Sequence, residues 1–98
     1  MSIADQLQTY CSVEVAAHLA GLSAGRVRRL VRSGLVRPRV VEQGRPLFGD
    51  IELTRLRKIR RLTTDLGVNL AGVEVILRLT DELSELRANA PREDEWQH

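Results

Sequence analysis

The sequence predicts an all-α fold with a small β-hairpin, and three observations predict it. Serine, aspartate or asparagine stands directly before four segments with helical apolar spacing, where each can cap the start of a helix. Glycines follow three of these segments and can end them. Between the second and third segments, Pro38 and Pro46 forbid a helix, while Val40 and Val41 favour extended backbone.

The first two helices are predicted to form a helix-turn-helix. Ser12 can cap a short helix over VEVAAHLA that ends at Gly21, and Ser23 can cap a second helix over about residues 24–33. Gly34 stands where the second helix must stop. Two helices joined by a tight turn and followed by Gly-Leu have the layout of a helix-turn-helix. The apolar side of the first helix is predicted to contain Val13, Ala16, Ala17 and Leu19.

Residues 36–48 are predicted to form a hairpin that extends from the helices as a wing. The segment EQGRP is a turn signal, and Phe48 closes the wing. Asp50 then stands where it can cap a third helix over about Ile51–Leu66. The core stripe of this helix is predicted to contain Leu53, Leu56, Ile59, Leu62 and Leu66.

A fourth helix is predicted over about Leu70–Arg87, with Asn69 as its cap. No repeat, low-complexity tract or second domain is evident in the sequence. The predicted organisation is a flexible N-terminus at 1–9, a winged helix-turn-helix domain at 10–66, a C-terminal helix for dimerisation at 67–88 and a flexible acidic tail at 89–98.

The charges are segregated along the chain although the net charge is only +2. Residues 26–61 hold eleven arginines and one lysine against three acids, which gives a local net charge of +9. The remainder holds three arginines against ten acids, which gives −7. Such a basic central segment favours a polyanionic partner.

The basic residues are predicted to share one face of each element. At 100° per residue, Val27, Leu30 and Val31 lie on one side of the second helix, and its arginines lie on the other. Arg57 and Arg61 lie opposite the apolar stripe of the third helix. A guanidinium group donates two parallel hydrogen bonds, which suits phosphate and the guanine edge. The candidate DNA-binding residues are Arg26, Arg28, Arg29, Arg32, Arg39, Arg45, Arg57, Lys58 and Arg61.

The fourth helix carries more apolar residues than one face can hold. A surface helix of a monomer needs only a narrow apolar stripe, so this helix predicts a homodimer. The seam of that dimer is predicted from a 3-4-3 spacing typical of coiled coils, at Ile76, Leu79, Leu83 and Leu86. The remaining face is acidic and is an alternative surface for a protein partner, formed by Glu74, Asp81 and Glu85.

Catalytic, metal and cofactor chemistry is not predicted. His18 lies among apolar neighbours, Cys11 is the only cysteine, and GLSAG lacks the lysine and hydroxyl residue of a phosphate-binding loop. Three aromatic residues are too few for a base-stacking platform, which argues against single-stranded nucleic acid. No signal peptide or membrane span is recognisable, and a single cysteine fits a reducing compartment, so a cytoplasmic location is expected.

The motifs together resemble the MerR superfamily of winged helix-turn-helix proteins. The resemblance is carried by SVEVAAHLAGLSAGRVRRLVRSGLVRP, by a wing ending in GRPLF, and by LTRLRKIRRLTTDLGVNLAGVEVILRL. Within the superfamily, DLGVNLAGVEVIL is most similar to HspR-type heat-shock repressors. The short chain and VRRLVRSGLV are more similar to CbpM-type chaperone modulators, which bind the J-domain of a DnaJ-like co-chaperone.

This resemblance implies four helices and a wing, with dimerisation through the last helix. It also implies that the second helix enters the major groove, with Arg28 at the position of the recognition-helix arginine. The sequence departs from the family pattern where Arg29 and Leu30 replace aromatic residues and where Pro46 follows the wing arginine. No effector domain follows the fourth helix, so ligand sensing within this chain is not expected.

Two functional hypotheses follow. In the first, the protein is a dimeric regulator that binds double-stranded DNA, in a stress or chaperone gene context. In the second, it is an adaptor that binds the J-domain of a DnaJ-like co-chaperone and not DNA. The basic central segment favours DNA, whereas the chain length and VRRLVRSGLV favour the adaptor.

Overall fold

The structure is a computed structural model that describes residues 9–90. It confirms a mostly helical fold with one small antiparallel hairpin. The described chain divides into two compact units, one ending at Val68 and one beginning at Asn69. The flexible N-terminus and the acidic tail predicted from the sequence lie almost entirely outside the described residues.

The first unit begins with the predicted helix-turn-helix, formed by α1 (Val13–Ala20) and α2 (Ala24–Arg32). Ser12 Oγ accepts a hydrogen bond from the Val15 N–H at 3.3 Å, and Ser23 Oγ accepts one from the Arg26 N–H at 3.1 Å. Both serines therefore cap their helices as predicted. Gly21 ends α1 with a left-handed φ of 74°, which an amino acid without a Cβ adopts freely. α1 packs against α2 in this arrangement.

The chain turns sharply after α2 at Gly34, which has a φ of 82°. The Leu35 N–H donates to the Leu30 carbonyl at 3.0 Å, and the Gly34 N–H donates to the Val31 carbonyl at 3.1 Å. This pair of bonds is a Schellman motif, in which the end of a helix is closed by a left-handed residue. The turn directs Leu35 and Val36 into the core, where both are buried.

The wing consists of β1 (Val40–Glu42) and β2 (Arg45–Leu47), paired antiparallel with Val40 opposite Leu47. Gln43 and Gly44 connect the strands, with φ values of 51° and 75°. Positive φ at both positions is the signature of a type I′ turn, the tight connection that matches the twist of a hairpin. The predicted turn at EQGRP is therefore present.

The residue after the wing ties it to the start of the helix-turn-helix. Phe48 and Cys11 exchange two backbone hydrogen bonds of 2.9 Å each and form an isolated antiparallel bridge. The Phe48 side chain is completely buried. Phe48 thus closes the wing, as predicted, by pairing with a segment that the sequence analysis left unassigned.

The third helix, α3, spans Asp50–Arg60 and packs against α1. The prediction that Asp50 caps this helix is wrong by one residue. Gly49 is the N-cap, in extended conformation, and its N–H donates to Glu52 Oε1 at 2.7 Å. The Glu52 carboxylate reaches back from the first turn and satisfies this donor, which is one half of a capping box. Glycine has no side chain, so the reciprocal bond to the first turn is absent.

A π-helical turn, Arg61–Asp65, follows α3. The Leu66 N–H donates to the Arg61 carbonyl, five residues back, at 3.1 Å. The wider turn rotates later side chains out of register with the α-helical stripe. Leu66 is consequently 66% exposed, and its prediction as a core residue is wrong.

The core of the first unit is almost entirely aliphatic. Leu53, Leu56 and Ile59 of α3 are buried, as predicted, and Leu62 is half-buried. On α1, Leu19 is 50% exposed, so its assignment to the apolar side is wrong. The buried side follows i, i+3, i+4 and i+7 spacing from Val13, which takes in Ala20 and turns Leu19 towards solvent. The buried apolar residues of this unit are Val13, Ala16, Ala17, Ala20, Val27, Leu30, Leu35, Val36, Phe48, Leu53, Leu56 and Ile59.

The second unit is the single helix α4, Leu70–Asn89, in the part of the chain that the structure describes. Asn69 caps it as predicted, because its Oδ1 accepts from the Gly72 N–H at 2.8 Å. Val73 and Leu77 are buried. Between residues 9 and 90, no helix is long and apolar enough to cross a membrane.

Candidate nucleic-acid interface

Helix α2 presents one apolar face and one arginine face. Val27 and Leu30 are buried, while Arg28, Arg29 and Arg32 are exposed. The helix contains no acidic residue, since its sequence is AGRVRRLVR. The burial pattern follows from the 100° helical spacing, so the packing of the core fixes the direction in which the arginines project.

Arg28 is connected to α1 by an ion pair. Its Nη2 donates a hydrogen bond to Glu14 Oε1 in the first turn of α1. Both side chains remain more than half exposed, at 52% for Arg28 and 64% for Glu14. The pair therefore links the two helices of the motif at the surface, where water still reaches both groups.

A cleft brings Arg28 next to the wing. Its walls come from the start of α1, from α2 and from the second half of the wing, and they include Glu14, Arg28 and Arg45. Two of the predicted DNA-binding arginines, one from the helix and one from the wing, thus line one surface depression. Gly44 and Pro46 contribute the remaining wing residues of this cleft.

A second groove lies where the end of α1 meets α3. It is lined by His18 and Gly21 on one side and by three arginines on the other, Arg57, Arg60 and Arg61. The structure thereby brings together two predicted residues, Arg57 and Arg61, which lie one helical turn apart. Asp65 of the π-helical turn is the acidic member of this groove.

Arg60 in this groove lies over the C-terminal end of α1. Its Nε lies 2.9 Å from the position that a Cβ at Gly21 would occupy, so the side chain covers the end of α1. A cation at a helix C-terminus interacts favourably with the helix dipole.

The other predicted basic residues line neither depression. Arg26 is half-buried, and the exposed ones are Arg29, Arg32, Arg39 and Lys58.

Arg55 has a structural role, which the sequence alone did not separate from the exposed position of Arg57 on the same helix. Its Nε donates to the Leu35 carbonyl at 2.6 Å, and the side chain is half-buried. The contact joins α3 to the turn that follows α2. Charge-assisted hydrogen bonds to backbone groups are among the stronger polar contacts in proteins.

Arg55→Ala is expected to lower the free energy of unfolding by about 1.5–3 kcal/mol, because it leaves a partly buried carbonyl without its charged donor. Chemical denaturation followed by circular dichroism measures the loss. Arg57→Ala, at an exposed position of the same helix, is the control and should change stability by less than about 0.5 kcal/mol. Equal effects of the two variants would contradict the structural role of Arg55.

On α4, the predicted seam and the predicted acidic surface are largely exposed. Leu79, Leu83 and Leu86 are 57%, 44% and 68% exposed, and Ile76 is half-buried. The acids Glu74, Asp81 and Glu85 are also exposed. One helix thus displays a row of large apolar side chains and a set of carboxylates.

Within residues 9–90, no three His, Cys, Asp or Glu side chains lie close enough to hold a metal ion. Burial raises the pKa of the Cys11 thiol, which disfavours the thiolate form. Glu14 is the residue that the sequence analysis missed at this surface. It is the only acid between Asp5 and Glu42, and that isolation was the available signal.

Comparisons with known proteins agree with this geometry. The family model for MerR HTH family regulatory proteins matches residues 11–91. A protein of Streptomyces coelicolor, provisionally named heat shock protein HspR, is 42% identical over 80 residues. The match covers 80% of this chain and 52% of that relative, so the chain spans about half the length of the relative.

Proposed function

Because this chain belongs to the MerR HTH family of regulatory proteins, and so is a transcriptional regulator, we propose that it binds double-stranded DNA as a homodimer. The regulated genes belong to a stress response in this proposal. The name of the Streptomyces coelicolor relative, a heat shock protein, supports that setting.

The observation that carries the proposal is the arginine face of α2. Arg28, Arg29 and Arg32 project from the second helix of a helix-turn-helix whose opposite face is fixed in the core. Proteins with this motif place that helix in the major groove, where arginine recognises guanine through two parallel hydrogen bonds. In the proposed complex, the arginines of α2 contact base edges in the major groove and so recognise the DNA sequence.

The wing and α3 supply contacts to phosphates in this proposal. Arg45 shares a cleft with Arg28, so a DNA strand whose phosphates contact the wing can also reach α2. Arg57 and Arg61 line the second groove together and extend the basic surface to α3. Phosphate contacts position a protein on the duplex and make its affinity dependent on salt.

The wild-type protein tests this proposal directly. Fluorescence anisotropy would compare a duplex from upstream of its own gene with a scrambled duplex, each titrated at several salt concentrations. We expect the first duplex to bind roughly a thousandfold more tightly, because specific binders exceed their own non-specific affinity by at least that order. Equal and salt-labile binding to both duplexes would overturn the proposal.

The seam on α4 gives the dimer its own prediction. Leu79→Asp/Leu83→Asp places two carboxylates on the exposed apolar row, and we expect a dimer mass to become a monomer mass. Affinity for an inverted repeat should then fall by about a hundredfold, since the second half-site no longer binds intramolecularly. Sedimentation and anisotropy measure the two effects.

A matched control for this variant is Val15→Asp/Leu19→Asp on α1. These two residues are also one turn apart and are 47% and 50% exposed. The control should leave the mass of the protein unchanged. A dimer that survives the α4 substitutions, or dissociates equally in the control, would contradict the proposed seam.

The exposed carboxylates of α4 favour a second candidate function, binding to the J-domain of a DnaJ-like co-chaperone. An acidic surface at Glu74, Asp81 and Glu85 would complement a basic partner. Glu74→Gln/Glu85→Gln should abolish such binding and leave DNA affinity intact. Calorimetric titration with an isolated J-domain distinguishes this function from the first.

A further inference from the structure

Glu14 stands out as an acid within a basic surface. It is the only acid between Asp5 and Glu42, and it forms an ion pair with Arg28, the α2 arginine beside the wing. An exposed pair of this kind contributes little to stability, since water screens both charges. Its place in the first turn of α1 suits the helix dipole, but folding does not explain why its partner is an arginine of the proposed DNA-binding face.

The ion pair restricts what Arg28 can do. A guanidinium group carries five N–H donors in a planar fork, and one of them is directed at Glu14 Oε1. The remaining donors are left to contact DNA in an orientation that α1 sets. An arginine held in this way is preorganised for a base edge and less able to move onto the nearest phosphate.

Glu14 also lies in the cleft that contains Arg45. A phosphate that enters this cleft meets two guanidinium groups and one carboxylate. The carboxylate repels any phosphate, whatever the base sequence beside it. Non-specific binding is supplied almost entirely by phosphate contacts, so this repulsion weakens it most, whereas binding to the specific duplex also gains from the contact of Arg28 with a base.

We propose that Glu14 is a positioning residue that sets the DNA specificity of this protein through Arg28. The inference rests on the proposed function, because it concerns how α2 distinguishes one duplex from another. Glu14 lowers affinity for non-specific DNA and orients Arg28 for a base of the operator, the specific duplex from upstream of the gene. Specificity arises here both from weaker contacts with phosphates of non-specific DNA and from the contact of Arg28 with a base of the operator.

Glu14→Gln tests the proposal, since the amide keeps the shape of the side chain and loses its charge. The scrambled duplex should bind about fivefold more tightly, with a salt slope steeper by about one, because Arg28 is released to a phosphate. The ratio of operator to scrambled affinity should fall roughly tenfold. Glu14→Asp keeps the charge and should retain most of the ratio.

Two further variants isolate the role of Arg28. In an Arg28→Ala background, Glu14→Gln should no longer change the ratio, because the group that Glu14 orients is gone. Glu42→Gln removes the same charge from an exposed position on the wing and should leave the ratio unchanged. Thermal unfolding of each variant should match the wild type, which separates specificity from helix stability.

The outcomes are distinguishable. The proposal is overturned if Glu14→Gln keeps the wild-type ratio, if the change persists without Arg28, or if Glu42→Gln has the same effect. In each of these cases a wild-type preference for the operator leaves the proposed function standing. A wild-type protein that shows no preference overturns the proposed function and this inference with it.

Discussion

Replacing Arg28, Arg29 and Arg32 by alanine is expected to reduce operator affinity to the level of scrambled DNA, a loss of roughly a thousandfold or more. These side chains form the exposed face of the one helix that the motif can insert into the major groove. Alanine favours helix, so α2 should remain folded without them. Anisotropy with both duplexes measures the loss, and circular dichroism checks the fold.

A lysine triple variant at the same positions is the matched control. Lysine keeps the charge of α2 but has a single ammonium group, which cannot form the two parallel bonds that arginine makes with guanine. Affinity for scrambled DNA and the salt slope should stay near their wild-type values, while the preference for the operator should largely disappear. Retention of the full preference by the alanine variant would show that another element recognises the bases.

Phe48→Ala is expected to lower the free energy of unfolding by about 3–5 kcal/mol, because it empties the site of a completely buried aromatic ring. The whole stability of a small domain is about 5–15 kcal/mol, so the variant should lose a large part of it. Denaturation in urea, followed by circular dichroism, measures the change.

Phe48→Leu keeps most of the apolar volume and serves as the control, with an expected loss of about 1–2 kcal/mol. Its DNA affinity should remain close to wild type at low temperature. If Phe48→Ala were within about 0.5 kcal/mol of the wild type, the ring could not be the closing element of the wing.

The helix starts and stops could be predicted because their signals are local. Ser12, Ser23 and Asn69 each accept a hydrogen bond from an N–H three residues ahead, and the side chain for that bond is visible in the sequence. The wing turn at Gln43 and Gly44 was equally visible. The cap at Asp50 was predicted wrongly because the helix begins after a glycine, and the side-chain contact at this end comes from Glu52 inside the helix.

The candidate site was only partly predictable. Segregation of the charges indicated which segment is basic, and helical spacing indicated which side of α2 the arginines occupy. Sequence spacing could not separate Arg55, bonded to a carbonyl, from Arg57, exposed two residues later. That distinction depends on how α3 crosses the turn after α2, which is set by tertiary packing. The contact of Glu14 with Arg28 depends in the same way on how α1 meets α2.

The bridge between Cys11 and Phe48 has a consequence for the order of folding. It joins residues far apart along the chain, and closing a long loop costs conformational entropy that must be recovered by contacts inside it. The two capped helices and the tight hairpin can form from local interactions, whereas the bridge requires both to be in place. We therefore expect the pairing of Cys11 with Phe48 to form late, as the step that commits the helix-turn-helix and the wing to fold as one cooperative unit.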